Sequence, residues 1–247
     1  IDLPIGAVGK MDDPAEAANA ITAANMRWGS FGLPVEFRKD DMTYEMGMTD
    51  LRRLAPIAEQ VGCPRCHTWI MPGNDERPYK DNFKFHVERL KPVAALLAYH
   101  NIRLAVEMVG PKTLRDQFKH PFIHTFDQAL ELADALSHHT GLLLDSFHWY
   151  TSGATAEDIT TKMDGGKIVY VHVNDAIAGR GPTEQIDKER ALPGETGVID
   201  LAGFVGALRQ VGYDGPVTAE PFAGNLAGLS HDEIAAKVAQ SIKRITA

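Results

Sequence analysis

Between residues 103 and 221, four short apolar runs each lead to an ionisable side chain, and stretches with helical periodicity separate them. Residues 103–108 end at Glu107, residues 141–146 reach Asp145, residues 167–174 carry His172 and residues 216–221 carry Glu220. Runs of this length are too short for buried helices and suit strands with both faces covered. Strand and helix in strict alternation imply parallel strands joined by crossover helices. Upstream, residues 1–5, 26–37 and 66–70 read as three more strands, for seven in all. Helices are expected from the Asp12-Asp13-Pro14 start to residue 25, from Thr49 and Asp50 to 61, and over 81–100, 125–136, 155–163 and 200–211. Ser230 with Glu233 forms a capping box for a closing helix to about 245.

A doubly wound open sheet would accept seven strands, but it opens on a glycine-rich turn after its first strand, and no G-x-G-x-x-G occurs here. The expected fold is therefore α/β, a TIM (β/α)8 barrel lacking its first βα unit in this chain. No linker, charge block or low-complexity tract divides residues 1–247, so one domain is expected.

The barrel reading gives the four ionisable groups a shared location. If Leu142 and Leu144 face one side of their strand, Leu143 and Asp145 face the other. A carboxylate on a buried face costs several kcal/mol unless it is paired or bound to a metal. Asp145 alone would read equally well as a helix cap. In a barrel, however, the carboxyl ends of Glu107, Asp145, His172 and Glu220's strands converge on one rim. Three carboxylates and an imidazole gathered there repel one another without a cation. Their oxygen-rich chemistry suits one divalent ion, Mn²⁺ or Mg²⁺ first, with Co²⁺ or Zn²⁺ as alternatives.

Composition narrows the remaining classes. A net charge of −8 argues against a surface built to hold phosphate backbones. Cys63 and Cys66, the only cysteines, lack a second ligand pair for a structural zinc site and read as two half-buried thiols at a strand entrance. Two cysteines provide no disulfide framework, and no apolar run is long enough to span a membrane. A cytoplasmic setting is expected, without membrane or nucleic-acid partners.

The motifs Val-Glu-Met at Glu107, Asp-Ser-Phe-His at Asp145 and His148, Val-His-Val-Asn-Asp at His172 and Thr-Ala-Glu-Pro at Glu220 resemble the xylose isomerase-like TIM-barrel superfamily. That group includes sugar epimerases and isomerases, inosose dehydratases and endonuclease IV-type enzymes. The segment from Arg190 to Asp200, with Pro193-Gly194, is similar to the Arg-x-x-Pro-Gly stretch of the family, though one residue longer between its glycines. The resemblance runs from about residue 50 to the end. It implies Glu107, Asp145, His172 and Glu220 as metal ligands, Glu107 and Glu220 as the acid/base pair, and His148 and Arg190 as holders of substrate oxygens. It implies a metal-dependent sugar isomerase or epimerase, working by proton abstraction next to a carbonyl through a metal-stabilised enediolate. The partner would be a small-molecule sugar or cyclitol, and many family members are homo-oligomers.

His67 and Trp69 share a face of a neighbouring strand and are expected at the same mouth, an imidazole for a hydroxyl and an aromatic wall for a sugar. His120, His124, His138 and His139 read as solvated, and Phe147, Trp149 and Tyr150 as rim packing. Three rival activities fit the same barrel: an inosose-type dehydratase, an endonuclease IV-like phosphodiesterase and a non-catalytic sugar-binding barrel. The endonucleases carry an Asp-x-His after the histidine corresponding to His172, and none follows here.

Overall fold

The structure is a computed structural model that describes residues 1–222 and 224–246, the side chains of 225 and 246 apart. Six strands form one parallel sheet: β1 (Phe31–Gly32), β2 (Arg65–Ile70), β4 (Arg103–Met108), β6 (Gly141–Asp145), β7 (Ile168–Val173) and β8 (Val217–Ala219), neighbours in that order. Two further strands, β3 (Gly73–Asn74) and β5 (His120–Pro121), make a separate antiparallel ribbon. The helices are α1 (Ile5–Val8), α2 (Ala15–Ala23), α3 (Asp41–Gln60), α4 (Tyr79–Tyr99), α5 (Lys112–Arg115), α6 (Phe126–Leu136), α7 (Ser146–Thr151), α8 (Ala156–Lys162), α9 (Leu201–Gln210) and α10 (His231–Thr246). This is a TIM-barrel fold with, among the described residues, six paired strands in place of eight.

Residues 1–5 are not a strand. Leu3 donates to Ser30 O (2.8 Å) and Gly29 to Ile1 O (2.9 Å), so the segment runs beside the approach to β1. Pro4 has no N–H to continue such a ladder, and it leads directly into α1. The strand expected over 26–37 shrinks to Phe31–Gly32. The start of α3 also moves, to Asp41 rather than Thr49. Asp40 accepts from Thr43 N at 2.9 Å and caps the helix there, while Thr49 bonds back to Glu45 O inside it. Local caps hold elsewhere: Thr125 starts α6, Thr155 and Asp158 form a capping box on α8, and Ser230 and Glu233 bond reciprocally before α10.

Alternation along the strands builds two apolar layers. Leu104, Val106, Leu142, Leu144, Val171 and Val173 face outward, where Leu90, Val93, Leu97, Leu132 and Phe204 of α4, α6 and α9 cover them. Ala105, Leu143, Val169 and Tyr170 form a small separate cluster inside the barrel. Glu107, Asp145 and His172 each follow an inward residue of that cluster by two positions, so they stand one layer above it. Cys63 and Cys66 are fully buried rather than half-buried, and burial raises both thiols, Cys63 to about 11. They are packing residues at the start of β2.

Candidate metal centre at the strand ends

Asp145 closes β6, Glu107 and His172 are the penultimate residues of β4 and β7, and Glu220 follows β8 directly. One ligand atom from each lies within 4.8 Å of the other three. Oxygen and nitrogen ligands sit about 2.0–2.2 Å from such ions, so two of them flanking one ion span at most about 4.4 Å. The cluster has that size to within a few tenths of an ångström.

Asp145 serves two purposes. Its Oδ1 accepts from Phe147 N at 2.6 Å, capping α7, while Oδ2 accepts from Asn174 Nδ2 (3.2 Å) and Arg190 Nη1 (2.9 Å). The helix-cap and ionic readings of this residue are therefore both correct. Gly110, two residues past β4, lets the chain pass close over α7: a Cβ there would lie 2.5 Å from His148 O and from Thr151 Oγ1. Its N–H donates to His148 Nδ1 at 3.2 Å. His148 Nε2 is 3.2 Å from Arg190 Nη2, which can only donate, and 3.8 Å from both Glu107 Oε1 and Asp187 Oδ1, so both ring nitrogens face N–H groups.

Arg190 is 3% exposed and lies against the cluster. Nη1 donates to Asp145 Oδ2 at 2.9 Å and to Glu220 Oε2 at 2.6 Å, Nη2 to Asp187 Oδ1 at 2.9 Å, and Nε to Asp187 O at 2.8 Å. Four of its five N–H groups are thus committed to protein oxygens, and its guanidinium stacks 4.7 Å from the Phe147 ring centroid. Asp175 sets this placement. It exchanges backbone hydrogen bonds with Ala191, and its carboxylate accepts the N–H groups of Thr196, Gly197 and Ile199 at 2.7–3.0 Å, tying down the Pro-Gly segment that follows Arg190.

Burial together with the Glu220 and Asp145 charges pushes the Glu107 carboxyl well above its usual range. Burial also raises Glu220, to about 7, against the opposing pull of Arg190. Asp145 is the exception. Burial pushes it up, but Arg190 and the two histidines outweigh that effect and hold it low. Burial takes His172 and His148 down to about 4, keeping both neutral. Neither ring nitrogen of His172 has a protein hydrogen-bond partner among the described residues, and neither does Glu107 Oε1. Buried polar atoms are rarely left this way, and a cation would satisfy Glu107 Oε1 and one nitrogen of His172. The donor set, three carboxylates and one neutral imidazole, fits a divalent ion.

A cleft of about 700 Å³ opens over the cluster, with Glu107, His148, Arg190 and Glu220 in its floor and Trp69, Val109, Ile186 and Phe222 among its walls. Trp69 stands at the rim, 40% exposed and stacked on Arg38. His67 does not line this cleft. It lies deeper, hydrogen-bonded to Ser30 Oγ at 2.9 Å, with its ring centroid 5.7 Å from that of His172. Phe147 and Trp149 are core rather than rim, Trp149 packing on Phe204. His138 and His139 are exposed as expected, whereas His120 and His124 are half-buried.

Alternation puts Asn174 on the face of Tyr170 and His172, whereas Asp187 and Lys188 carry no signal of that kind. Those two sit in an irregular polar loop with no periodicity to read.

Residues 9–245 match the family described as xylose isomerase-like TIM barrel. The chain belongs to that family. An inosose isomerase of Bacillus subtilis (strain 168) is 30% identical over 159 residues, 61% of this chain and 51% of that protein. The chain spans about half the length of the Bacillus inosose isomerases it matches. A 3-dehydroshikimate dehydratase of Pseudomonas putida is 30% identical over 132 residues, 51% of this chain and 20% of that one. Among solved structures, a xylose isomerase domain protein from Alicyclobacillus acidocaldarius superposes with a TM-score of 0.88 at 25% identity, covering 99% of this chain and 87% of that one. The IOLI protein, crystallised with a zinc atom, superposes with a TM-score of 0.78 at 21% identity over 93% of this chain and 80% of its own, a likeness of fold.

Proposed function

We propose that this chain is a divalent-metal-dependent isomerase or epimerase of small neutral sugars or cyclitols. The observation that carries the reading is the set of four donor atoms within 4.8 Å of one another, with Glu107 and Glu220 lining an open cleft and with Glu107 Oε1 and both His172 nitrogens lacking a partner among the described residues. The relatives named inosose isomerase support an isomerase.

Glu107, Asp145, His172 and Glu220 would hold the ion. Bound there, it supplies positive charge that stabilises the negative charge developing when a proton leaves carbon next to a carbonyl. Glu107 and Glu220, from strand ends on either side of Asp145 and His172, are the groups to remove and return that proton. Returning it to the other face of the same carbon gives epimerisation, and to the neighbouring carbon isomerisation. Arg190 keeps Asp145 and Glu220 in place and lowers the repulsion among the carboxylates. His148 stands beside Glu107 where it can hold a substrate oxygen, Trp69 forms an apolar wall for a sugar ring, and His67 supports His172 from below.

The test is metal content by elemental analysis for the wild type, Glu220→Gln and His172→Ala, together with deuterium uptake from heavy water into a panel of ketoses and inososes. The reading expects one ion per chain, weakened in both variants, and exchange at carbon beside the carbonyl in the wild type. Loss of water from the substrate would indicate the dehydratase instead. Metal without exchange would indicate a sugar-binding barrel, and two or three zinc ions a phosphodiesterase. No metal in protein purified without chelator would refute the reading.

A further inference from the structure

A second cavity of about 300 Å³ adjoins the cleft, and Met71 lines both. It lies between α4 and the β3–β5 ribbon. Asn82 and His86, one turn apart on α4, line it and are only 2% and 3% exposed. His86 Nδ1 is 2.7 Å from Asn82 O, a carbonyl that only accepts, so Nδ1 carries the hydrogen and Nε2 presents a lone pair. Burial holds this imidazole neutral. Neither His86 Nε2 nor Asn82 Oδ1 has a protein hydrogen-bond partner among the described residues. Buried acceptors are rarely left unpaired, so the pocket suits a donor.

The surrounding charges identify the kind of donor. Arg38 and Arg77 line the same pocket and act on His86 with like sign, which disfavours an ammonium. Asp75 and Glu76 are also in the wall, so the ionised groups balance and an anion finds no net attraction. A neutral O–H remains. Phe85 and Phe118 supply apolar surface beside the polar pair, the combination that suits a polyhydroxylated ring or chain.

We propose that this side pocket is a binding subsite for a neutral polyol or sugar, whose hydroxyls donate to His86 Nε2 and Asn82 Oδ1 while its carbon face packs on Phe85 and Phe118. The subsite stands apart from the reacting groups proposed for the cleft and requires no turnover. Its occupant is either a free polyol or the far end of a larger sugar held in the cleft.

The test is NMR of the imidazole nitrogens in histidine-labelled protein, metal-free and Mg²⁺-loaded, titrated with myo-inositol, D-fructose and the ketose disaccharide maltulose. The His86 signal is assigned by its loss in His86→Gln. A saturable shift of His86 Nε2 toward the hydrogen-bonded position is expected. A shift with myo-inositol or D-fructose that survives His172→Ala marks a free-polyol site. A shift with maltulose alone, abolished by His172→Ala, marks the far end of a cleft-bound sugar. A His86 signal unmoved by all three probes in both metal states overturns the proposal, whatever the outcome of the deuterium exchange experiment.

Discussion

Replacing His172 by Phe should stabilise the metal-free protein while removing its response to metal. Both imidazole nitrogens are buried without a protein partner, and the ring sits edge-on to Tyr170 at 5.0 Å and to His67 at 5.7 Å between centroids. An unsatisfied buried polar atom costs about 1–3 kcal/mol, and exchanging it for an apolar group of similar shape recovers that cost. Allowing for the bulkier six-membered ring in a packed interior, a net gain of about 2 kcal/mol is expected, roughly 4–8 °C in Tm for a chain of this size. Saturating metal reverses the order. An ion at 100 times its Kd stabilises the wild type by about 2.7 kcal/mol, and His172→Phe, short of one ligand, should gain little. The assay is urea denaturation of both proteins in EDTA and in Mn²⁺. A variant less stable than wild type by about 1 kcal/mol or more in EDTA would refute the unsatisfied-imidazole argument. A full Mn²⁺ response in the variant would remove His172 from the ligand set.

Arg190→Met leaves the buried Asp145 carboxylate without its cation, at a cost of about 3–5 kcal/mol in EDTA. Added Mn²⁺ should narrow that gap, which paired melting curves with and without metal would show. In Asp175→Asn the new amide faces the Thr196 and Gly197 N–H groups donor to donor. A loss of about 3 kcal/mol or more is expected, with faster proteolysis of the Pro-Gly segment as an independent readout. His86 supplies a pH dependence of known sign. Its folded pKa of about 4 lies below the ordinary value near 6.5, so the unfolded chain takes up the proton first. The stability it contributes is complete above about pH 6.5 and is lost as pH falls toward 4, by about 3 kcal/mol in all. Urea midpoints at a series of pH values should show a shallower decline for His86→Phe than for wild type. Equal slopes would mean that this imidazole is not buried neutral.

Features that depend on neighbours in the chain were legible from sequence. The inward and outward faces of residues 142–145 and 170–172 follow from strand alternation, the helix starts at Thr125 and Thr155 from periodicity, and the cap at Ser230 from side chains reaching backbone three residues away. Where two local signals competed, sequence could not arbitrate. Asp40 and the Thr49-Asp50 pair carry the same capping chemistry, and α3 starts at the earlier one. Pairing partners were less legible still. Residues 1–5 look like a strand, yet Pro4 and the course of the chain beside Ser30 leave them outside the ladder. His67 shares its strand face with Trp69 but lies a layer below the cleft.

The sequence by itself determined that four ionisable groups stand at strand ends and that the strands are parallel, because the period of two and the alternation with helices are properties of short segments. Only the tertiary structure decided that those groups converge to within 4.8 Å, that His172 has no protein partner, and that Arg190 bonds to Asp145 across 45 residues and to Glu220 across 30. The Asn82–His86 pocket belongs with these, since nothing on α4 distinguishes those residues from ordinary core. Charge, solvation and hydrogen-bond satisfaction are set by whatever packs nearby, and in a barrel those neighbours come from segments far apart in the chain.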